Sequence, residues 1–275
     1  MEKRVWFITG ISSGLGKALA NAVINAGDYV IGTFRKESQV KAFNVRHRGK
    51  GHGILLDVTE HRAIEDAIAT IDGNIDVLVN NAGVGFIGAI EEVSMEEVRN
   101  VFEANFFSVV KLTQEVLPKM RQQQHGHIVQ ISSHGGLKAF AGFGIYNASK
   151  FALEGFGEAL AQELAPLGIH VSIVEPGPFR TNFASETLPE AKKKIAAYSK
   201  TAGLFREKLK AVHGKQEGDP DKAAQAIIDL VNTENPSLRM PLGKTALMTI
   251  GMKLDSVKAD LEKHRATAEN AIFKS

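Results

Sequence analysis

The sequence predicts an α/β protein built on a doubly wound parallel β-sheet with helices on both faces. Three observations carry that expectation. Short β-branched runs alternate with longer amphipathic stretches, the short runs are almost wholly apolar, and the first of them ends in a glycine-rich turn. Strands that are apolar on both faces are buried on both faces, which separates this pattern from a sheet with one wet side. Strands are expected at 5–9, 29–33, 53–56, 77–79, 127–131 and 171–174. Between them apolar residues recur at helical spacing over 15–26, 62–71, 95–121, 146–167 and 221–231. The stretch 179–218 is Lys-rich and amphipathic without a strand pattern. It reads as a helical insertion over the carboxyl edge of the sheet, where lids sit. A polar helix is expected at 252–272. No stretch reads as an interdomain linker, an internal repeat or a low-complexity segment, so 1–275 is expected to form one domain.

Of the 275 residues 44% are hydrophobic and 23% charged, values of a globular chain rather than a disordered one. Lys plus Arg less Asp plus Glu gives 33 − 31 = +2, too small a bias to indicate nucleic acid or an anionic membrane as partner. There is no cysteine, which excludes disulfides, thiolate catalysis and Cys-based zinc sites and fits a reducing cytosol. Only a short apolar run precedes the first turn, well under the length of a secretory core or a membrane span, so a cytoplasmic protein is expected. His125, His127 and His134 come without an HExxH or carboxylate facial pattern, and no metal is expected.

Thr9-Gly10-Ile11-Ser12-Ser13-Gly14-Leu15-Gly16 follows the first strand and opens the first helix. Glycine at 10, 14 and 16 lets the backbone turn tightly, approach a pyrophosphate and pack helix on strand. The helix N-terminus adds free N–H groups and a positive dipole end. This is the dinucleotide-binding, Rossmann-type reading, with Ser12, Ser13 and Leu15 beside the phosphates. The same residues spell G-x-S-x-G around Ser12, the nucleophile elbow of α/β-hydrolases, and His134-Gly135-Gly136 resembles part of an oxyanion motif. Chain order opposes the hydrolase, whose elbow serine follows several strands and the oxyanion loop.

In such folds the end of the second strand meets the adenine ribose, and an acidic residue there takes the 2′-hydroxyl of NAD. Here that end reads Gly32-Thr33-Phe34-Arg35-Lys36, with no carboxylate before Glu37. Arg35 forks onto a phosphate, Lys36 adds a point charge, and Ser12 or Ser13 supplies a further donor, which points to NADP(H) over NAD(H). The alternative is an ordinary solvated loop pair. Asp57, followed by Val58 at the end of the third strand, either accepts from the adenine amino group or caps the next helix, a role for which Thr59 competes.

Tyr146-Asn147-Ala148-Ser149-Lys150 sets a phenol and an ammonium on one helical face. A phenol, with a pKa of about 10, becomes an acid–base catalyst near neutrality only beside a cation; Lys150 and an oxidised nicotinamide ring are the cations on offer. Ile131-Ser132-Ser133 closes a strand at the carboxyl edge, where open α/β sheets bind ligands. Ser133 there either hydrogen-bonds a substrate oxygen or merely ends the strand. Asn80-Asn81-Ala82-Gly83 ends the fourth strand likewise, and Asn105 sits in a long apolar helix where an amide is costly unless satisfied. Phe140, Phe143, Phe179, Phe183, Leu188 and Tyr198 are candidates to line an apolar substrate pocket, Phe143 and Phe183 foremost. Lys192, Lys193 and Lys194, with Lys200, read as a solvated helix face.

Taken in order, Gly10 to Gly16, Asp57, Asn80 to Gly83, Asn105, Ser133, Tyr146 with Lys150, and Pro176-Gly177 before Thr181 resemble the short-chain dehydrogenase/reductase family. The resemblance runs from Val5 to about Thr181 and implies a catalytic set of Asn105, Ser133, Tyr146 and Lys150. Tyr146 would be general acid in reduction and base in oxidation, with Ser133 orienting the substrate oxygen. Lys150 would bind the nicotinamide ribose and lower the tyrosine pKa, while Asn105 would hold a water between Lys150 and solvent. Asn81, Ala82 and Gly83 would lie against the cofactor; Pro176, Gly177 and Thr181, with Phe179 in the same stretch, would border the carboxamide. Thr33-Phe34-Arg35 and Ser12-Ser13 look most like the NADP(H)-preferring hydroxysteroid and retinol dehydrogenases. Ser108 is a departure, since many members carry glycine three residues after the asparagine, where the helix kinks. The implied function is hydride transfer between NADP(H) and a carbonyl or secondary alcohol of a small apolar substrate. A homodimer or homotetramer packed through 95–121 and 146–167 is implied too. The rivals are a non-catalytic NADP(H)-binding sensor, which has no need of an intact Ser133, Tyr146 and Lys150 set, and the serine hydrolase.

Overall fold

A computed structural model describes residues 3–185 and 188–273. Seven parallel strands form one sheet: β1 (Val5–Ile8), β2 (Tyr29–Phe34), β3 (Gly51–Leu55), β4 (Val77–Asn80), β5 (Gly126–Ile131), β6 (Ile169–Pro176) and β7 (Arg239–Leu242), in spatial order β3-β2-β1-β4-β5-β6-β7. Helices α1 (Gly14–Asn25), α2 (Glu37–Arg46) and α8 (Pro220–Val231) cover one face. There Leu19, Val23, Phe43, Ile227 and Ile228 pack on Trp6, Ile8, Val30 and Val79. The other face carries α3 (His61–Ala69), α5 (Ser108–Gln123) and α6 (Gly144–Leu164), whose Ile64, Ile68, Leu112, Val116 and Leu160 meet Phe7, Leu78 and Ile128. Helices α4 (Met95–Phe102), α7 (Leu204–Ala211) and α9 (Lys244–Glu269) complete the chain. The doubly wound parallel sheet is therefore as the apolar runs predict.

Four departures have physical causes. The single helix expected over 95–121 is broken into α4 and α5 by a wide π turn at Glu103–Phe107. Ser108 takes part, because its Oγ donates to Ala104 O at 2.9 Å and so competes for a helix carbonyl, a bond that bends helices without glycine. Strand β7 escapes pattern reading, being short, half-buried and interrupted by Pro241, which an edge strand tolerates. Helix α2 buries only Phe43 and so lacks an apolar stripe. Helix α9 begins eight residues before the expected 252, since Ala246, Thr249 and Ile250 seat its first turns on the body.

The span 179–218 holds a 3₁₀ turn at Asn182–Ala184, another at Ala196–Tyr198, a π turn at Ser199–Gly203 and α7. Residues 186 and 187 of it lie outside the described residues. Lys192, Lys193 and Lys194 are exposed as expected but stand in irregular backbone, not on a helix; Lys192 N donates to Glu97 Oε1 at 3.2 Å. Among the described residues no helix is long and apolar enough to cross a membrane.

Two buried polar devices tie the β5-β6-β7 side together. Arg239 of β7 reaches Glu175 of β6 at 2.6 Å and also pairs with Glu154 and Glu158 of α6. His127 of β5 pairs through Nε2 with Ser172 Oγ of β6 at 3.0 Å, and Ser172 Oγ donates to Ser237 O at 2.9 Å. Having used its proton there, the serine accepts from His127 Nε2–H. Burial pushes the pKa of His127 from 6.5 down to about 4. Between those values the unfolded chain binds a proton that the folded chain does not, so stability falls as pH drops through that window. Urea unfolding at about pH 7 and about pH 5 should show the wild type losing roughly 2 kcal/mol more than His127→Gln between the two. Equal losses would remove His127 from the acid sensitivity of the fold.

Candidate active site

Strand β1 leads into α1 on one face of the sheet and its neighbour β4 into α4 and α5 on the other, so a crevice opens at their carboxyl ends. Thr9, just past β1, closes the floor of it. Its Oγ1 accepts from Asn81 N at 3.0 Å and Ala82 N at 2.9 Å, while Asn81 Nδ2 donates to Thr9 O at 2.7 Å and Gly10 O at 3.2 Å. From the other side Thr33 Oγ1 accepts from Gly10 N at 2.9 Å. The glycine turn is thus held from both flanking strands. Gly10 and Gly14 have φ of +70° and +58°, the left-handed region that costs other residues steric strain. A Cβ on Gly16 would lie 2.3 Å from Asn81 Nδ2 and 2.6 Å from Gly10 O, so only hydrogen fits there. Ser13 stands at the N-cap of α1 without a side-chain cap, and the first turn has no acidic residue. The positive end of α1 and its free N–H groups are therefore left for an anion.

The cleft above this floor measures about 1090 Å³. All the residues named as cofactor contacts line it: Gly10, Ser12 to Gly16, Arg35, Asp57, Val58, Asn81 to Gly83, Tyr146, Lys150, Pro176, Gly177, Phe179 and Thr181. Arg35 is exposed and has no ion-pair partner among the described residues, whereas Glu37 turns away to Lys41 at 2.8 Å. Lys36 does not line the cleft. Asp57 is not a helix cap. Its Oδ1 accepts from Thr59 N at 3.1 Å and Thr59 Oγ1 at 2.9 Å, a local turn, while the residue before α3 is Glu60.

Ser133, Tyr146 and Lys150 meet on the β5 side of the same cleft. Ser133 follows β5, and its Oγ accepts from Gly135 N at 2.9 Å, so its own proton remains to be donated. Asn147, which sequence reading passed over, pins this loop to α6. Its Nδ2 donates to Gly135 O at 2.8 Å, and its Oδ1 accepts from Phe140 N at 3.0 Å. Burial pushes the Tyr146 phenol up to about 12, opposed by a hydrogen bond with Ser133. Lys150 Nζ donates to Ile131 O at 2.8 Å, and burial brings it down to about 8, opposed by Glu154. Each group has left water, and each is displaced toward its neutral form.

Asn105 alone of the expected set does not line the cleft. From the π turn its Oδ1 accepts from Val84 N at 2.7 Å, and its Nδ2 donates to Val84 O and to Ser149 Oγ, both at 2.9 Å. Its amide is engaged with Val84 and Ser149. Ser149 Oγ in turn donates to Tyr146 O at 2.7 Å, so the clamp reaches the α6 turn between Tyr146 and Lys150.

The remaining wall is aromatic. Phe143 stacks on Tyr146 at 4.3 Å between centroids, and Phe183 lies 5.6 Å from Tyr146. Phe205, 5.4 Å from Phe143, joins them with Leu209 and Val212, three residues the sequence did not single out because α7 has no strand partner to locate it. Phe140, Phe179 and Leu188 also line the cleft, but Tyr198 does not, since its hydroxyl donates to Glu91 at 2.7 Å. The hydrolase reading fails on geometry: His134 Nδ1 pairs with Thr249 Oγ1 at 3.0 Å, and no histidine partners Ser12 among the described residues.

A family model described as short chain dehydrogenase matches residues 4–192. A 3-ketodihydrosphingosine reductase of Bacteroides thetaiotaomicron is 38% identical over 249 residues, covering 88% of this chain and 89% of that protein. The crystal structure of a short-chain dehydrogenase from Streptomyces avermitilis superposes with a TM-score of 0.91 at 40% identity, covering 99% of this chain and 100% of that one. ElxO, solved with NADP bound, superposes with a TM-score of 0.74 at 26% identity, covering 90% and 100%. With the matched segment spanning the glycine turn, Ser133, Tyr146 and Lys150, this chain belongs to the short-chain dehydrogenase family, oxidoreductases acting on alcohol and carbonyl groups.

Proposed function

We propose that this chain transfers a hydride between NADP(H) and the carbonyl or secondary-alcohol carbon of a small apolar substrate. One observation carries the reading: Arg35 past the end of β2, with no ion-pair partner among the described residues, and Ser133 past the end of β5 with Tyr146 and Lys150 of α6 border a single cleft, with the glycine turn between them. The residues present fit a dinucleotide. In the cradle Gly16 has no room for a side chain and Gly10 and Gly14 hold positive φ, and the uncapped α1 terminus suits a pyrophosphate. Arg35, without an ion-pair partner among the described residues, suits a 2′-phosphate, with exposed Ser12 and Ser13 lining the same cleft.

A bound nicotinamide supplies the hydride chemistry. In reduction Tyr146 gives its phenolic proton to the carbonyl oxygen, and in oxidation it takes that proton back. Ser133 donates to the same oxygen, its position fixed by Gly135 N–H. Lys150 spends one N–H on Ile131 O and keeps two donors for a ribose. Asn105 acts as a positioning residue through Val84 and Ser149. Phe143, Phe183, Leu188, Phe205 and Leu209 select an apolar substrate, and the 179–218 segment that contributes four of them serves as a lid on a single domain. Assembly as a homo-oligomer uses the outer faces near α5 and α6, where Phe107 and Phe151 are exposed. A sensor without catalysis has no observation of its own in its favour.

Tyr146→Phe is expected to leave the NADPH dissociation constant within about twofold while cutting turnover at least about a hundredfold, and undiminished turnover would take Tyr146 out of the mechanism. In Arg35→Asp the ratio of dissociation constants should move toward NADH; a wild type already tighter for NADH would overturn the cofactor assignment. Without nicotinamide, ultraviolet titration of wild type against Tyr146→Phe should show the extra phenol ionising near pH 12. A phenolate appearing below about pH 10 would contradict the burial argument.

A further inference from the structure

Helix α6 carries Lys150 and, one turn on, Glu154, both buried. They grip the same end of β5. Lys150 Nζ donates to Ile131 O at 2.8 Å, and the hydroxyl of the next residue, Ser132, stands against Glu154. A Cβ on Gly136 would lie 2.6 Å from Ser132 Oγ and 2.8 Å from Glu154 Oε1, and neither oxygen has another partner among the described residues. The second carboxylate oxygen of Glu154 goes to Arg239, which also takes Glu175 of β6 at 2.6 Å and the exposed Glu158.

Arg239 is one guanidinium set against two buried carboxylates, and a buried carboxylate without a counter-charge is costly. Glu158 can turn to water; Glu154 and Glu175 cannot. The one buried cation among the described residues is Lys150. Two cations then meet two carboxylates, and the cluster balances only while Lys150 keeps its proton. Burial works against that proton, bringing the amine down to about 8, and Glu154 opposes the fall. The other titratable groups on the elements around α6 are engaged elsewhere. Glu103 of the π turn pairs with His61 at 2.6 Å, His134 past β5 with Thr249 and His127 of β5 with Ser172, while Arg99 of α4 is exposed and the Tyr146 phenol holds its proton up to about 12. We propose that Glu154, with Arg239 and Glu175 behind it, is a positioning residue that keeps Lys150 an ammonium in the cleft. This deepens the reaction proposed above and rests on it for the use of the charge, not for the charge itself.

Lysine labelled with carbon-13 at Cε reports the titration of each ammonium by NMR in the cofactor-free protein, Lys150 being assigned by the loss of its signal in Lys150→Arg. In wild type it should titrate near pH 8. Glu154→Gln should lower that midpoint by at least about one pH unit, and Glu175→Gln, which leaves Arg239 to Glu154, should lower it by less. A merely structural part would act the other way, since a loosened site admits water and returns the amine toward about 10.4. Glu154→Asp, which keeps the charge, should stay closer to wild type than to Glu154→Gln. A midpoint unchanged or raised in either glutamine variant, or as low in Glu154→Asp as in Glu154→Gln, overturns the proposal. The pH at which NADPH affinity begins to fall should move with the midpoint. A midpoint that drops while the NADPH profile stays would keep the charge pairing and take Lys150 away from the cofactor, overturning the reading above rather than the pairing.

Discussion

One hydroxyl does more than any other group to shape the cleft. Thr9 Oγ1 holds the two successive N–H groups of Asn81 and Ala82, and the Asn81 amide returns two bonds to the backbone of Thr9 and Gly10. The reversal of strand order would leave a crevice between β1 and β4 with unpaired backbone at both lips. This stitch satisfies the backbone and brings the glycine turn close enough to Asn81 that Gly16 must lack a side chain. The phosphate cradle and the fourth-strand asparagine are therefore one construction.

Across the cleft the governing constraint is desolvation. Tyr146 and Lys150 are both buried, at 5% exposure each, and both are driven toward neutrality, the phenol upward and the ammonium downward. The protein limits the cost to the lysine with a carbonyl, Ile131 O, and with Glu154 one turn along α6. Glu154 and Glu175 are themselves buried carboxylates whose pKa values burial raises, and Arg239 from the edge strand reaches both. A charge supplied to the helix below the catalytic pair is thus balanced from the last strand of the sheet, which gives β7 a role beyond hydrogen bonding.

Much of this was legible in the sequence, and the limits have identifiable causes. Five of the six expected strands announce themselves because burial on both faces makes them nearly continuous apolar runs, as in Val77, Leu78 and Val79, whereas β3 at the edge has His52 and Leu55 exposed. Gly10, Gly14, Ser133, Tyr146 and Lys150 are legible because each falls at a strand end or at helical spacing. The seventh strand is not, since Arg239 and Pro241 answer to a buried carboxylate pair and to an edge, neither of which has a periodicity. Nor is the work of Asn147 and Asn105, whose partners are backbone atoms of Gly135, Phe140 and Val84 brought close only by folding. Asp57 was open between two readings, and its turn with Thr59 removes the capping one.

The wide turn at Glu103–Phe107 has a further consequence for how this chain tolerates changes of length. A π turn accommodates one residue more than the α geometry on either side of it, and one residue corresponds to about 100° of rotation about a helix axis. Removing one residue there would let the segment close as plain helix with α4 and α5 still in phase, so Leu112 and Val116 would keep their seats while the bulge that carries Asn105 to Val84 and Ser149 would vanish. Adding a second residue has no such outlet and would turn α5 against the sheet. The segment should therefore bear a shortening with its framework whole and its clamp undone, which makes its residue count a setting of the site rather than of the scaffold.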